Sequence, residues 1–246
     1  MKTAKDIRIA VLIDADNISS FNVRGMMEEI AKYGTPTFKR IYGDWTKPNL
    51  GSWKGVLLEN AITPIQQYSY TTGKNATDSA MIIDAMDILY TEKVDGFCIV
   101  SSDSDFTRLA TRLREAGMTV IGMGEKKTPN PFIVACDKFI YLEILDTESE
   151  KDSKAARPVQ KETLKKVGKD TINLISATIT DLADDSGWAF LGEVGSLILK
   201  KQPDFDPRNF GFGKLAPLIK SIGKFEIDER ETDKKNSKLV YVRVKN

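Results

Sequence analysis

The chain has 246 residues, of which 41% are apolar and 29% are charged, and its formal net charge at pH 7 is +1. That length fits one large domain or two smaller ones. It contains no histidine, which excludes histidine-ligated zinc, Ser-His-Asp and Cys-His catalysis, and any imidazole general base. Enzymatic chemistry in this chain must therefore use carboxylates, hydroxyls, lysine or a metal ion.

The first 145 residues alternate between strand and helix patterns about six times. This alternation predicts an α/β fold, with a mainly parallel sheet and helices on both of its faces. The predicted strands are Ile9–Ile13, Thr37–Gly43, Ile62–Tyr68, Phe97–Val100, Met118–Met123 and Phe139–Leu142. The predicted helices are Arg24–Tyr33, Ser52–Ala61, Asp78–Tyr90, Phe106–Gly117 and Pro131–Cys136. Pro64 favours an edge position for the third strand, because proline cannot donate a hydrogen bond to a neighbouring strand.

The composition changes after this alternating region. Residues 147–169 are charged and poor in large apolar side chains, which predicts a linker between domains 1–146 and 170–246. Beyond it, helices are predicted from near Thr171, over Phe190–Lys201 and over Phe212–Ile222. Strands follow at Phe225–Asp228 and Leu239–Val244, so the last part is predicted to be a small winged-helix-like α+β domain.

Cysteine usage and hydropathy bear on where the protein works. Cys98 and Cys136 have apolar sequence neighbours, which is typical of small buried thiols in a reducing compartment. No signal peptide and no apolar run of membrane length is evident. We therefore expect a cytoplasmic protein without a membrane partner.

Charge is unevenly divided between the two halves of the chain. Residues 1–150 carry 17 Lys and Arg against 21 Asp and Glu, whereas residues 151–246 carry 19 against 14. The basic half is a candidate surface for nucleic acid, although a lysine-rich surface is more often only solvated. The candidate RNA contacts are Lys214, Lys220, Lys234 and Lys235.

Acidic residues follow two of the predicted buried strands. Ile9–Ile13 leads directly into Asp14, and Phe97–Val100 leads through a serine pair into Asp103 and Asp105. Ligands of open α/β sheets bind at the carboxyl ends of the strands, so these carboxylates are expected to meet there. Two carboxylates about 4 Å apart repel by roughly 4 kcal/mol at an effective dielectric of about 20. Such a cluster calls for protonation or, more economically, for a divalent cation.

Several neighbouring residues have both a functional and a structural interpretation. Asp14 and Asp16 point to opposite sides of an extended strand, so at most one is expected to be a direct ligand, and Asp14 is favoured. Asn17 either orients a ligand or caps a helix. Asp78 stands at a predicted helix start, where carboxylates are also common as caps. Asp84 lies about 240° further around that helix, which favours a supporting or structural role.

Three polar residues near these acids also have two interpretations. Lys74 lies in a Gly-Lys-Asn loop, where it either meets a phosphate or is simply a polar loop residue. Ser101 and Ser102 either donate hydrogen bonds to the carboxylates or to a phosphate, or else form a turn. Neither serine is a good nucleophile, because no base that would activate it is visible.

The acidic segments, in their order and spacing, resemble those of the NYN domain, a branch of the PIN-like nucleases. They are Ile13–Asn17, Gly73–Asp78 continuing through Ile83–Asp87, and Ser101–Phe106, and the resemblance covers about residues 6–145. Trp188, Pro203–Phe205, Phe210–Gly211 and the closing hairpin resemble the LOTUS (OST-HTH) domain.

The NYN resemblance implies a PIN-like fold and hydrolysis of RNA phosphodiester bonds with Mg²⁺ or Mn²⁺ as cofactor, and the enzyme is expected to cut internal bonds. It places the catalytic and metal-binding residues at Asp14, Asp78, Asp103 and Asp105, with Asn17 and Asp84 in less defined roles. The LOTUS resemblance implies binding to RNA or to a protein partner.

Two other functions compete with a nuclease. In the first, the protein is a non-catalytic RNA-binding or adaptor protein whose aspartates are vestigial. The second is an aspartyl-phosphate phosphatase, suggested by Asp14-Ala15-Asp16 after a strand. Ile18 weakens it, because that motif usually has a hydroxyl residue there.

Overall fold

The computed structural model describes residues 7–20, 23–68, 76–145, 165–231 and 238–245. The chain divides into two compact units, Met1–Pro158 and Val159–Asn246. The backbone N–H of Lys165 donates to the carbonyl of Asn209, and Val167 packs against the core of the second unit. The last residues of the predicted linker therefore contact the C-terminal unit, and the boundaries at 146 and 170 stay predictions.

The first unit is built on a six-stranded, fully parallel sheet, as the strand and helix alternation predicts. Its strands stand in the order β3-β2-β1-β4-β5-β6. They are β1 (Arg8–Asp14), β2 (Thr35–Gly43), β3 (Thr63–Gln66), β4 (Gly96–Val100), β5 (Thr119–Gly124) and β6 (Lys138–Tyr141). The helices are α1 (Val23–Ala31), α2 (Trp53–Glu59), α3 (Ala76–Tyr90), α4 (Thr107–Glu115) and α5 (Asn130–Ala135). β3 is an edge strand, in agreement with the expectation from Pro64.

The strand order determines which face each helix covers. The chain adds β2 and then β3 on one side of β1. It then crosses the sheet through α3 and adds β4, β5 and β6 on the other side of β1. Since crossovers between parallel strands are right-handed, α1 and α2 lie on one face and α3, α4 and α5 on the other. Helices on both faces explain why β1 and β4 are almost wholly buried.

The candidate site lies between β1 and β4, where the order in which the chain adds strands to the sheet reverses. These two strands pair in register from Ile9 with Gly96 to Ile13 with Val100. Asp14 and Ser101, the next residue of each strand, therefore lie side by side at the carboxyl edge. A crevice opens at such a switch point because the adjoining helices lie on opposite faces of the sheet.

Both cysteines are buried free thiols, in agreement with the sequence prediction. Burial raises the pKa of each thiol, that of Cys136 to about 12. Within the described ranges, no helix has the length and apolarity that a membrane crossing needs.

In its described residues the second unit has three α-helices and a small antiparallel sheet, which agrees with the predicted winged-helix-like arrangement. The helices are α6 (Lys169–Leu182), α7 (Leu191–Lys201) and α8 (Leu215–Ile222), and the strands are β7 (Ala189–Phe190), β8 (Phe225–Glu231) and β9 (Lys238–Val244). The sheet order is β7-β9-β8. Its core is formed by apolar residues such as Ile175, Val194, Ile198 and Leu218, each fully buried.

Gly124, the last residue of β5, permits a close approach to the loop that follows β4. A Cβ at this position would lie 2.6 Å from the carbonyl oxygen of Ser101 and 2.6 Å from Thr128 Oγ1. We expect Gly124→Ala to lower the free energy of unfolding by about 1–3 kcal/mol, because the Ser101 backbone must shift. Urea denaturation measures this change.

Gly55 provides the matched control, because a Cβ there meets nothing within 4 Å. It lies in α2, so Gly55→Ala should stabilise the unit by about 0.5–1 kcal/mol. Equal effects of the two substitutions would show that the contact at Ser101 is unimportant.

Candidate metal centre

Asp14 is a fully buried carboxylate whose two oxygens accept four hydrogen bonds. Its Oδ1 accepts from the backbone N–H groups of Asp16 at 3.0 Å and Asn17 at 3.3 Å. Its Oδ2 accepts from Asn17 Nδ2 at 2.7 Å and from the Ser101 hydroxyl at 2.7 Å. Asp14 thus holds the loop after β1 against the loop after β4. Asn17 thus orients the Asp14 carboxylate, and a functional role for Asn17 stays a prediction.

The hydrogen bonds continue from Ser101 into the acidic turn. Ser101 Oγ accepts from the backbone N–H of Asp103 at 3.1 Å. The Asp103 carboxylate in turn accepts from the backbone N–H of Asp105 at 2.9 Å and caps the 3-10 turn Ser104–Phe106. The path from Asp14 to Asp105 fixes the loop, so both carboxylates of the turn are held at the edge of the sheet.

Asp78, Asp103 and Asp105 form an acidic cluster. One carboxylate oxygen from each lies within 4.8 Å of the others, close enough for the three to hold a metal ion. Asp78 is buried, Asp103 is half-buried and Asp105 is exposed. The cluster therefore has a buried side at α3 and a side open to solvent.

The cluster is electrostatically strained. Burial, as the largest cause, and the negative charges of Asp14, Asp103, Asp105 and Asp16 together raise the pKa of Asp78 from 3.8 to about 6. Burial also raises the pKa of Asp14, while the hydrogen bonds from Ser101 and Asn17 oppose that rise. Opposite charge favours the ionised form of a carboxylate. A bound cation would thus relieve the repulsion that this arrangement maintains.

The donor set fits a hard divalent ion. All three candidate ligands are carboxylates, which Mg²⁺ and Mn²⁺ prefer over nitrogen and sulfur. Neither Asp14 nor Asp16 belongs to this group within the described part of the chain. The role of Asp14 as a further ligand stays a prediction.

Thr77 and Lys47, which the sequence did not single out as functional, lie near Asp16, which the sequence had disfavoured as a direct ligand. The Thr77 hydroxyl donates to Asp16 Oδ2 at 3.0 Å, and Lys47 Nζ lies 3.9 Å from Asp16 Oδ1. Lys47 comes shortly after β2, the strand that pairs with β1. Its position near the carboxyl edge of the sheet could therefore have been inferred from the sequence. This side chain places a cation beside Asp16, whose charge raises the pKa of Asp78.

Other predicted residues lie apart from the cluster. Asp84 accepts hydrogen bonds of 2.5 Å from Arg40 Nη1 and from the Tyr42 hydroxyl, so it attaches α3 to β2, in keeping with a structural role. Ser102 Oγ accepts from the backbone N–H of Glu125 at 2.9 Å and steadies the end of β5. Lys74 lies outside the described residues.

The four lysines predicted to contact RNA are only partly described. Lys214 and Lys220 are exposed, and Lys220 Nζ lies 3.6 Å from Glu229. Lys234 and Lys235 lie outside the described residues. RNA binding by these side chains stays a prediction.

Comparison with known proteins identifies both units. A family model for the NYN domain matches residues 8–143, and a model for the OST-HTH/LOTUS domain matches residues 162–237. The matches confirm the predicted pair in the predicted order, and they indicate a nuclease-like fold followed by an RNA-binding module. No curated protein matches the chain.

Two solved structures are similar to parts of the chain. A Vibrio parahaemolyticus protein of unknown function is 19% identical with a TM-score of 0.48, and the match covers 58% of this chain and 96% of that one. An uncharacterised Nitrosomonas europaea protein, solved by NMR, is 33% identical with a TM-score of 0.30. That match covers 39% of this chain and 92% of the other.

The raised pKa of Asp78 predicts how stability depends on pH when no metal is bound. The pKa of Asp78 in the folded protein, about 6, exceeds its ordinary value of 3.8, so ionisation of this carboxyl destabilises the fold. The contribution of Asp78 to the free energy of unfolding is therefore complete below about pH 4 and is lost as the pH rises through 6. We expect Asp78→Asn, measured in EDTA at pH 7.5, to raise the free energy of unfolding by about 1–2 kcal/mol after allowance for solvent screening.

Below pH 4 the variant and the parent should be equally stable. The exposed Asp87, on the same helix, supplies the control Asp87→Asn, a surface substitution that should change the free energy of unfolding at pH 7.5 by less than about 0.5 kcal/mol. Denaturation midpoints between pH 3.5 and 8 test this, and parallel curves for parent and Asp78→Asn would contradict it.

Proposed function

The chain belongs to the NYN domain family, and we propose that it is a metal-dependent ribonuclease that hydrolyses RNA phosphodiester bonds. The observation that carries the proposal is the convergence of Asp78, Asp103 and Asp105 at the carboxyl edge of the sheet. The match to an RNA-binding module in the same chain favours RNA as the substrate.

We assign the ion, Mg²⁺ or Mn²⁺, to the three clustered carboxylates. When bound, it would lower the pKa of a coordinated water and offset the charge of the reacting phosphate. The chain itself keeps the ligands in place: Ser101 links Asp14 to the backbone of Asp103, and Asp103 holds the backbone of Asp105. Asp14, buried next to the cluster, adds negative charge and remains a predicted catalytic residue.

An internal cut fits the exposure of the cluster. Asp105 is exposed, so within the described residues one side of the cluster is open to solvent. A strand can approach such a site laterally, without threading a free end into it. We therefore favour an endonuclease, with the C-terminal module supplying affinity for RNA, or contacts to a protein partner, apart from the cut.

A cleavage assay on end-labelled RNA with the full chain tests this function. We expect cleavage in Mn²⁺ or Mg²⁺ and none in excess EDTA. Asp103→Asn should lower kcat at least 100-fold, because it removes one ligand charge while Asn Oδ1 can still accept from the Asp105 N–H. Asp87→Asn, an exposed change on α3, should leave kcat within about twofold of the parent, as a surface substitution away from the site should.

Binding without cleavage would favour the non-catalytic alternative. That result requires RNA affinity in EDTA together with no product in either metal. Cleavage that persists unchanged in EDTA or in Asp103→Asn would contradict the assigned metal site.

Lys47 is positioned to contact an RNA phosphate near the cut. Its ammonium lies 3.9 Å from the carboxylate of Asp16, whose charge raises the pKa of Asp78, and its side chain is 42% exposed. We expect Lys47→Gln to raise KM about 5- to 10-fold with a smaller change in kcat, and to reduce the salt dependence of binding to single-stranded RNA by about 0.7 in the log–log slope.

The control for Lys47 is Lys54→Gln, which removes an exposed lysine from α2. It should leave KM and the salt slope unchanged. If Lys47→Gln lowers the thermal midpoint but not the salt slope, Lys47 only supports the position of Asp16.

A further inference from the structure

A cavity of about 650 Å³ lies beside α3, on the side of the sheet that this helix covers. Its lining includes two strands and one face of the helix: Phe38, Arg40, Thr63, Ile65, Ile83 and Asp84. The volume falls within the roughly 300–1,000 Å³ that is usual for small-ligand sites. None of the residues assigned to the metal centre lines it.

The topology of the sheet explains why this cavity exists. α3 packs on β1 and β2, while β3 is the edge strand beyond them. Among the described residues, the outer part of the sheet on this face therefore has only the side of α3 beside it. Arg40 pairs in register with Thr63, so these neighbours form the floor. Ile83, 63% exposed, forms a wall.

The lining combines a flat apolar surface with a planar cation. Arg40 Cζ lies 5.4 Å from the centroid of the Phe38 ring, and the Asp84 carboxylate holds its guanidinium at 2.5 Å. The Arg40 side chain remains 29% exposed. Guanidinium planes and aromatic rings are the groups on which proteins stack unpaired bases.

The other chemistry of the cavity narrows the class of ligand. Asp84 offsets the charge of Arg40, and the ammonium of Lys39, another cationic residue of the lining, donates to the Asn60 carbonyl at 2.5 Å, which together disfavour a lone phosphate. The side chains of Thr63 and Gln67 at the margin offer hydroxyl and amide groups to a polar edge. A planar heterocycle with hydrogen-bonding edges fits this combination better than a lipid chain does.

The distance from the acidic cluster relates the cavity to a bound strand. Ala80, Ile83 and Asp84 line it and follow Asp78 by two, five and six residues on α3. At about 1.5 Å of rise per residue, they lie roughly 3–9 Å along the helix from the cluster. A stacked strand advances about 3.4 Å per nucleotide, so this span corresponds to about one to three nucleotides.

We propose that this cavity binds one unstacked nucleobase of the substrate RNA and so selects where the strand is cut. The inference rests on the proposed function, since it takes RNA to be the ligand. The base stacks against the Phe38 and Arg40 side chains, while its phosphate neighbours lead toward Asp78.

The test uses a series of RNAs that are identical except for the position of a single abasic nucleotide. The Kd of the full chain for each RNA is measured in EDTA, so the result does not depend on cleavage. For the parent, one position should weaken binding about tenfold or more, because a stacked base contributes about 1–3 kcal/mol. Thr63→Tyr, on the exposed edge strand, should fill the cavity and abolish this loss of affinity at the one position.

Leu58→Tyr is the matched control, because it adds the same ring to a residue of α2 that is 88% exposed. It should keep the positional loss. Ile83→Ser, which removes an exposed wall without adding volume, should reduce the loss at the same position, and it provides a second variant if Thr63→Tyr fails to fold.

The outcomes separate this inference from the proposed function. The cavity assignment is overturned if the Kd of the parent does not depend on the position of the abasic nucleotide, or if the parent and Thr63→Tyr show the same dependence. This holds even if RNA is cut. A positional loss that Thr63→Tyr abolishes supports the assignment, including when no cleavage is seen in Mn²⁺.

Discussion

The hydrogen bond from Ser101 to Asp14 joins the carboxyl ends of two adjacent parallel strands, and the acidic cluster depends on it. The bond is buried and 2.7 Å long, and the same hydroxyl accepts the backbone N–H of Asp103. Hydrogen bonds to charged groups contribute about 1.5–3 kcal/mol each. If this hydrogen bond were absent, the series of hydrogen bonds from Asp14 to Asp105 would no longer fix the turn that carries Asp103 and Asp105 relative to β1.

The same arrangement makes the site costly to maintain without a cation. Burial and neighbouring negative charge raise the pKa of Asp78 to about 6. A sequence selected for stability alone would not concentrate carboxylates here, because their repulsion reduces the net stability of a domain. The strain is what a metal-binding site is expected to show before the ion binds.

The helix α3 links the cluster to the rest of the domain. Asp78 lies in its first turn, and Asp84, nearly two turns later, is held by Arg40 and Tyr42 of β2. These contacts fix the rotation of the helix about its axis, which determines where Asp78 points. The same contacts form one side of the cavity, so one helix positions both the candidate metal ligand and the candidate base-binding surface.

The sequence by itself determined the architecture, the pairing of an NYN domain with a LOTUS domain, and the chemistry that is possible. Apolar strands, amphipathic helices and the edge position that Pro64 favours follow from local patterns, and the missing histidine excludes imidazole as a metal ligand. Only the tertiary structure decided which acids converge. Asp14 became a buried hydrogen-bond acceptor, Asp84 paired with Arg40, and Lys47 came within 3.9 Å of Asp16. The physical reason is that these contacts join residues up to 87 positions apart. They depend on strand order and loop path, whereas periodicity encodes only which way a residue faces within its own element.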